Sequence, residues 1–511
     1  MKKLMLLFIG ILSMPMINAQ DINDALRYND GDIQGTARFR ALSGAFGALG
    51  GDLSAVGLNP ASSAVFTNSY ASVTLSSLSK DNETSFFNTR NTASNSDFSL
   101  QQAGGVFVFK SNNEDSNWKK IALSIAYNNT KNYDDNWFSS GTNGSAQKNG
   151  NSIASYFLNN AQGLRLDQIS ALPGETTSEA YAEIGSAYGY ANQQAYLGYD
   201  SFILEPETEA DDNIAYTSNI AAGTFDQEYN YSATGYNGKI SFNLGAQYSD
   251  NLYLGLNLNS HFLNYERSTF LFEENNNDGS LVTQVGFENN IVTNGRGFSF
   301  QLGNIFKISN ELRFGVTYDS PIWLTIEEET TQYLETIRSE GGTDVLQVVD
   351  PRIVNIFPEY KLQTPARITT SFAYVFGKQG LISFDYSRKD YSKTKFKPTS
   401  DGYFAAQNRI INNNLVAAAT YRVGGEYKIK QLSLRGGYRF EESPYENGTT
   451  VGDLTGYSLG LGYNFGNTKL DLTFDQSKRT SDHQLFNTGL TDATTIDVNN
   501  SNITLSLGFQ L

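Results

Sequence analysis

The chain has 511 residues, with 30 Tyr, 33 Phe and 46 Gly, no Cys and only two His, and carries a formal charge of -16. The lack of cysteine excludes disulfide staples, thiol nucleophiles and thiolate metal sites. The acidic balance excludes nucleic acid as a partner, because a polyanion is held by a basic footprint.

In chain order, Lys2 and Lys3 precede an apolar stretch from Leu4 to Leu12, and Ile17-Asn18-Ala19 precedes Gln20. This is the layout of a secretory signal, residues 1–19, cleaved after Ala19. The stretch is too short to anchor the chain across a bilayer, and no later run of about 18 apolar residues follows, which excludes a helical membrane protein. A barrel stays open, since its strands are apolar only at alternate positions. Residues 20–68 are rich in Gly and Ala and carry Phe39, Leu42, Phe46, Leu49, Leu53, Val56 and Leu58 at intervals.

A first strand is predicted at Tyr70 to Leu78. Six hairpins with short turns follow: Gly105–Phe109 with Ile121–Tyr127, Ile240–Tyr248 with Leu252–Leu258, and the units Phe298–Tyr318, Ile368–Tyr386, Tyr421–Phe440 and Tyr457–Phe474. Ile503, Leu505, Leu507, Phe509 and Leu511 alternate in a last strand, which brings the predicted count to 14. Long polar connections separate the hairpins at residues 79–104, 128–235, 266–297, 319–366, 391–420, 441–456 and 477–501. A soluble sandwich or solenoid also alternates. Consistently short turns on one side, long loops on the other, aromatic residues near strand ends and an alternating terminal strand favour closure instead. The expected fold is all-β: a 14-stranded antiparallel transmembrane barrel over residues 69–511, both ends in the periplasm, with residues 20–68 as a hatch inside it. A lumen of ~14 strands leaks unless filled.

Within 128–235, Ala180, Ile184, Tyr188, Ala191 and Ala195 recur at helical spacing and predict a folded extracellular cap. Its apolar residues Ile153, Phe157, Leu164, Leu166, Tyr196, Phe202 and Ile203 either dock a ligand or hold the loop together. Strand parity turns Arg313, Arg422, Arg435, Arg439, Asp319, Asp385, Glu426, Asp471 and Asp475 to the lumen. There the arginines either pair with those carboxylates and the hatch, or one of them, or Arg38 or Arg40 of the hatch, receives a ligand carboxylate. His261 and His483 are the only histidines and sit in no catalytic context; HExxH and GxSxG are absent, and Gly44, Gly47 and Gly50 do not form a phosphate loop. The tract "FEENNNDGS" at 272–280 lacks the spaced carboxylates of a calcium loop. No catalytic residue, cofactor or metal is therefore expected.

The run "GTARFRALSGAFGALGGDLSAVGLNPASSAVF", above all Asn59-Pro60-Ala61, resembles the N-terminal hatch of the FadL/TodX family of outer-membrane transporters for long-chain fatty acids and other hydrophobic compounds. The family's plugged 14-stranded barrel agrees with the count made from the strands. The resemblance implies a route from a groove among the loops, through an apolar pocket in the upper barrel, to lateral release when the hatch shifts. It makes Asn59, Pro60, Ala61, Phe46, Leu49, Gly50 and Gly51 the hatch or gate candidates, with the Asn-Pro-Ala turn near a kink in an early strand. The implied partners are a hydrophobic small molecule or fatty acid, outer-membrane lipid, and the barrel-assembly machinery during insertion of a monomer. A non-transport barrel of the same family, docking a secretion system or attaching to a surface, is the alternative.

Overall fold

The computed structural model describes residues 21–29, 31–113, 115–144 and 150–511; the predicted signal lies outside them. Fourteen antiparallel strands form one closed wall. They are β1 (Tyr70–Phe86), β2 (Thr89–Lys110), β3 (Trp118–Asn132, resumed at Asp135–Asn143), β4 (Phe225–Tyr248), β5 (Leu252–Glu274), β6 (Val282–Lys307) and β7 (Leu312–Asp319, resumed at Trp323–Glu340). The circuit continues with β8 (Tyr360–Gln363, resumed at Arg367–Phe376), β9 (Gly380–Asp390), β10 (Ala417–Ile429), β11 (Leu432–Glu441), β12 (Val451–Asn464), β13 (Thr468–Gln484) and β14 (Ala493–Gln510). Pairing of β14 with β1, from Tyr70 opposite Gln510 to Ser85 opposite Thr495, closes the wall and leaves no open edge there.

The predicted strands mark where one face meets lipid. In β4, Ile240, Phe242 and Leu244 are exposed while Ser241 and Asn243 between them are buried. Aromatic rings bound this belt: Trp118 packs edge-on against Tyr248 at 5.1 Å near the short turns, and Phe298 stacks on Trp323 at 6.5 Å near the other rim.

Several predicted loops are in fact strand. The 79–104 connection is the top of a β1–β2 hairpin, turned at Phe87 and Asn88, both with positive φ (43° and 66°) as a tight hairpin turn requires. Likewise β5 and β6 rise to Glu274 and Val282 across the predicted 266–297 loop. Beyond the lipid both faces meet polar surroundings, so the ladder continues without an apolar stripe to betray it.

Inside the wall, the hatch folds into α1 (Ile22–Arg27), α2 (Ala37–Ala41), α3 (Leu53–Val56) and a 3-10 turn at Pro60–Val65. Helices this short do not persist alone. Each is fixed by a polar cap, Asp21, Thr36, Asp52 and Asn59 respectively, and by the wall. The 128–235 insertion carries α4 (Ala154–Ala161), α5 (Thr177–Tyr188) and α6 (Tyr190–Asp200) over the barrel mouth. The single helical period read across residues 180–195 is two helices, because Gly189 between them takes φ +99°. A last helix, α7 (Gly402–Asn414), lies in the 391–420 connection.

Candidate functional site: hatch, chamber and window

The hatch rests on a belt of glycines. Gly245, Gly255 and Gly303 are directly opposite one another across β4, β5 and β6. A Cβ on Gly255 would lie 2.1 Å from the Pro60 carbonyl carbon, one on Gly303 2.1 Å from Asn59 Oδ1, and one on Gly245 2.1 Å from Ser63 Oγ. Farther round, Gly315 faces the Gly47 carbonyl, and Gly424 and Gly437 face Leu42. Side chains are missing from the wall at the height where the hatch backbone touches it.

Asn59 is fully buried; its Nδ2 donates to the Gly47 carbonyl at 2.6 Å and to the Asn304 carbonyl at 2.9 Å, and its Oδ1 accepts from the Ala61 N–H at 3.1 Å. It therefore ties the hatch to itself and to β6. Pro60 occupies the first helical position, where its missing N–H costs nothing. Gly50 and Gly51 turn the chain with positive φ (65° and 69°). Phe46 and Leu49 are buried in a cluster with Phe39, Leu42, Ala373 and Leu381, so they pack hatch against wall. The Asp385 carboxylate accepts from the N–H groups of Phe46 and Gly47, both at 3.0 Å, and Arg313 donates to the Leu49 carbonyl at 2.9 Å.

The structure places all six candidate arginines inside the barrel. Arg38 and Arg435 both donate to Glu426, at 2.9 and 2.6 Å, and Arg435 also reaches Asp471. Arg40 makes a bidentate pair with Asp475 at 2.8 and 2.9 Å. Arg439 lies 3.4 Å from Glu441. Arg422 makes no ion pair among the described residues, and its Nε is buried without a hydrogen-bond partner. The reason is local: its cross-strand neighbour Asp385 is turned to the hatch amides.

Between α1, the rest of the hatch and the wall lies a chamber of about 470 Å³. The resemblance implied an apolar pocket in the upper barrel; the lining here is mixed, with polar and apolar surface in similar amounts. Leu26, Phe39, Leu58 and Ile322 share it with Lys239, His261, Asp319, Arg367, Arg422 and a group of asparagines. His261 Nε2 lies 2.8 Å from Ser299 Oγ, a lumen hydrogen bond and not a catalytic arrangement.

The wall beside this chamber is breached. The β2–β3 ladder runs from Lys110 opposite Lys120 to Gln102 opposite Asn128 and stops, although β2 continues to Thr89 on β1. β3 breaks after Asn132 and resumes against β4 alone. The breach begins within the lipid belt, since Leu75 and Leu100, opposite each other at this height, are lipid-facing and exposed. Unpaired strand edges in hydrocarbon are costly, which makes an interruption here a defined feature of the wall. Its rim is formed by Gln101, Gln102, Asn128 and Asn129, all buried, each with one amide atom lacking a partner. Asn132 Nδ2 spans the window to Asp97 at 2.8 Å. Above it, Asn82 Nδ2 donates to Asp135 at 2.7 Å and Thr84 donates to the Phe138 carbonyl at 2.6 Å.

Residues 31–34 of the hatch pass behind this window as a strap, held by the Asp32 N–H on the Thr130 carbonyl at 3.1 Å. Asn59-Pro60-Ala61, expected near the strand kink, instead seats on β5 and β6; the strap is what faces the break in β3. Neither strap nor rim was singled out from sequence, yet a signal exists. Gln101-Gln102 and Asn128-Asn129 are consecutive amides that interrupt the apolar-polar alternation on facing strands.

In the cap the apolar candidates pack inward and do not form an exposed docking face. Ile153, Phe157, Leu166, Tyr196 and Ile203 are buried in one core with Leu271, Phe287 and Leu334 of the upper wall, and Leu164 and Phe202 pack at its margin. Glu273, at the loop end of β5 well beyond the lipid belt, accepts from Ser152 Oγ at 2.5 Å, the Ile153 N–H at 2.9 Å and Gln227 Nε2 at 2.7 Å. Burial pushes its carboxyl up to about 7 despite these donors. The 272–280 tract forms the β5–β6 turn, where Asn277 bonds the Thr224 N–H at 3.0 Å. Among the described residues no cluster of His, Asp and Glu suits a metal.

A closed outer-membrane barrel plugged by its own N-terminal segment, with a chamber beside a breach in the wall, is the architecture of a transport protein. The sequence profile of the outer membrane protein transport family (OMPP1/FadL/TodX) matches residues 208–510, and the chain belongs to that family. Among solved structures, a FadL homologue of Pseudomonas aeruginosa superposes with a TM-score of 0.56 at 12% identity, covering 94% of this chain and 99% of that one. The toluene transporter TodX of Pseudomonas putida gives 0.51 at 12% identity, with 94% and 99% covered. At such identities the likeness is one of fold. A search of curated protein sequences found no match.

Proposed function

We propose that this protein takes up hydrophobic or amphiphilic compounds of the long-chain fatty acid kind across the outer membrane, holding them in the chamber and releasing them sideways through the β2–β3 window when the hatch strap moves. The observation that supports this reading is one of position. Asn128, Asn129 and Thr130 border both the chamber and the breach, and the Asp32–Thr130 contact stands between them. The experiment is a lock. The natural chain has no cysteine, so an Asp32→Cys/Thr130→Cys pair is the only thiol pair present. Oxidation is expected to lower uptake of a labelled long-chain fatty acid and reduction to restore it, while heat-modifiable gel migration stays unchanged. Equal uptake in both states refutes strap gating.

A docking role is supported by a separate observation. Leu346 and Ile356, 60% and 71% exposed, stand on the β7–β8 connection beyond the lipid belt. A photo-crosslinker at Leu346 that traps one defined envelope protein, with no lock-sensitive uptake, favours that reading.

A further inference from the structure

The chamber's chemistry says more about its occupant than the fold does. Two of its cations form no direct ion pair among the described residues. Among the described residues Arg422 makes no ion pair, and Lys239 donates to the Gly57 carbonyl at 3.4 Å. Three of the carboxylates that line the chamber are engaged, Asp319 by Arg367 and Gln301, both at 2.5 Å, Glu441 by Arg439 at 3.4 Å and Arg479 at 3.7 Å, and Glu442 by the Ala419 N–H at 2.9 Å, while Asp32 stands exposed on the strap. In a chain of net charge -16, this is a local excess of positive charge facing the chamber.

The same space is bordered by amides with an unfilled end. Asn29, Asn129, Asn237 and Asn259 are 5%, 4%, 7% and 1% exposed, and each has a buried Oδ1 with no partner. Whichever way each amide is turned, one end of it is unsatisfied, and leaving a buried polar atom without a partner is unfavourable. A hydrocarbon satisfies none of these groups. A plain carboxylate neutralises the cations but has no proton to give an amide oxygen, and water hydrates both sets but carries no charge. Hydroxyl groups both donate and accept, so a ligand that joins them to a negative charge answers both sets.

We propose that the chamber is a binding site for a polyhydroxylated anion of the sugar-acid type, either free or as the head of an amphiphile whose chain lies along Leu26, Phe39 and Ile322. The inference deepens the transport reading, and rests on it only for what the binding serves.

The test uses full-length protein in an uncharged polyoxyethylene detergent and four probes: glucuronate, octyl glucuronide, octyl glucoside and octanoate, each titrated calorimetrically below its critical micelle concentration. Octyl glucuronide is expected to bind at least tenfold more tightly than octyl glucoside or octanoate. Lys239→Met/Arg422→Met is expected to bring it within about twofold of the glucoside. Asn237→Leu/Asn259→Leu is expected to remove its advantage over octanoate, while octanoate binding is unchanged. Heat-modifiable migration reports folding, and Lys239→Gln/Arg422→Gln is the milder alternative. Glucuronate binding as tightly as the octyl form identifies a soluble ligand, and binding of the octyl form alone identifies a lipid head. The proposal is overturned if octanoate matches the glucuronide, or if no probe distinguishes wild type from both variants, which means water or an inorganic anion only. Lock-sensitive fatty acid uptake without head selectivity overturns this inference alone. Head-selective binding without lock-sensitive uptake overturns the transport reading alone.

Discussion

Replacing Gly255 by alanine tests how the hatch is seated. The added Cβ would stand 2.1 Å from the Pro60 carbonyl carbon and 2.3 Å from the Ala61 nitrogen. Both are backbone atoms at the start of a capped turn and cannot rotate aside, so the turn must lift from the wall. Overpacking of this kind costs about 1–3 kcal/mol. Lifting also stretches the Asn59 bonds to Gly47 and Asn304, now 2.6 and 2.9 Å. At about 1 kcal/mol each for a buried neutral hydrogen bond, the total against the seated hatch is about 3–5 kcal/mol. That raises the unseated population by at least about a hundredfold, since each 1.4 kcal/mol is a factor of ten. The β4–β5–β6 ladder is unaffected, because alanine keeps every backbone group. The assay is proteolysis of the hatch in proteoliposomes, together with single-channel conductance. Gly255→Ala is expected to show faster hatch cleavage and frequent openings at unchanged barrel heat-modifiability. Gly425→Ala, whose Cβ would meet nothing nearer than the Leu381 carbonyl at 3.7 Å, is expected to match wild type. Equal hatch protection in Gly255→Ala and Gly425→Ala refutes the argument that the glycine belt seats the hatch.

Glu426→Gln removes the charge shared by Arg38 and Arg435, whose side chain is only 5% exposed. Asp471 still holds Arg435, so the loss is expected at the lower end of the 3–5 kcal/mol range for a broken buried pair, read as a lower hatch-release temperature in scanning calorimetry. At Glu273 the carboxyl rises from its ordinary 4.5 to about 7 through burial. The folded cap then binds the proton more tightly than the open one, so its stability is full below pH 4.5 and about 3 kcal/mol of it is lost as pH rises through 7. Wild-type residues 150–224 are expected to be cleaved faster at pH 8 than at pH 5, with Glu273→Gln flattening the dependence; equal rates in wild type refute it.

The wall was legible wherever lipid lies on one side and lumen on the other, because Phe242 and Asn243 then have different duties. Parity placed Arg422 and Arg435 inside on the same grounds. It had no means to tell that Arg435 reaches past Gly462 to Asp471 while Arg422 loses Asp385 to the hatch. That distinction depends on which carboxylate a separate segment claims. Ile153 and Phe157 were visible as apolar residues in a polar loop, but apolar residues read the same whether they face a ligand or one another. The strand tops, such as Thr89 to Ser96, carry no apolar stripe and were indistinguishable from loop. The chamber is assembled from single residues on most of the strands, so no local spacing announces it.

The interrupted β2–β3 ladder bears on how far the wall can deform. A closed barrel ordinarily resists widening because each strand is bound on both sides, and parting two of them breaks a run of backbone bonds. Here the run is already missing. Above Gln102, the β1–β2 arm is joined to β3 by side-chain bonds, Asn132 to Asp97, Asn82 to Asp135 and Asn136, Thr84 to Phe138, Asn91 to Ser140 and the Lys80–Asp135 ion pair. Each of these is replaceable by water at the loop end, whereas β1 remains bound to β14 along its whole length as far as Ser85. The arm is thus a door hung on β14 and latched on β3, and the width of the exit is set by this set of side-chain contacts and not by the circumference of the barrel.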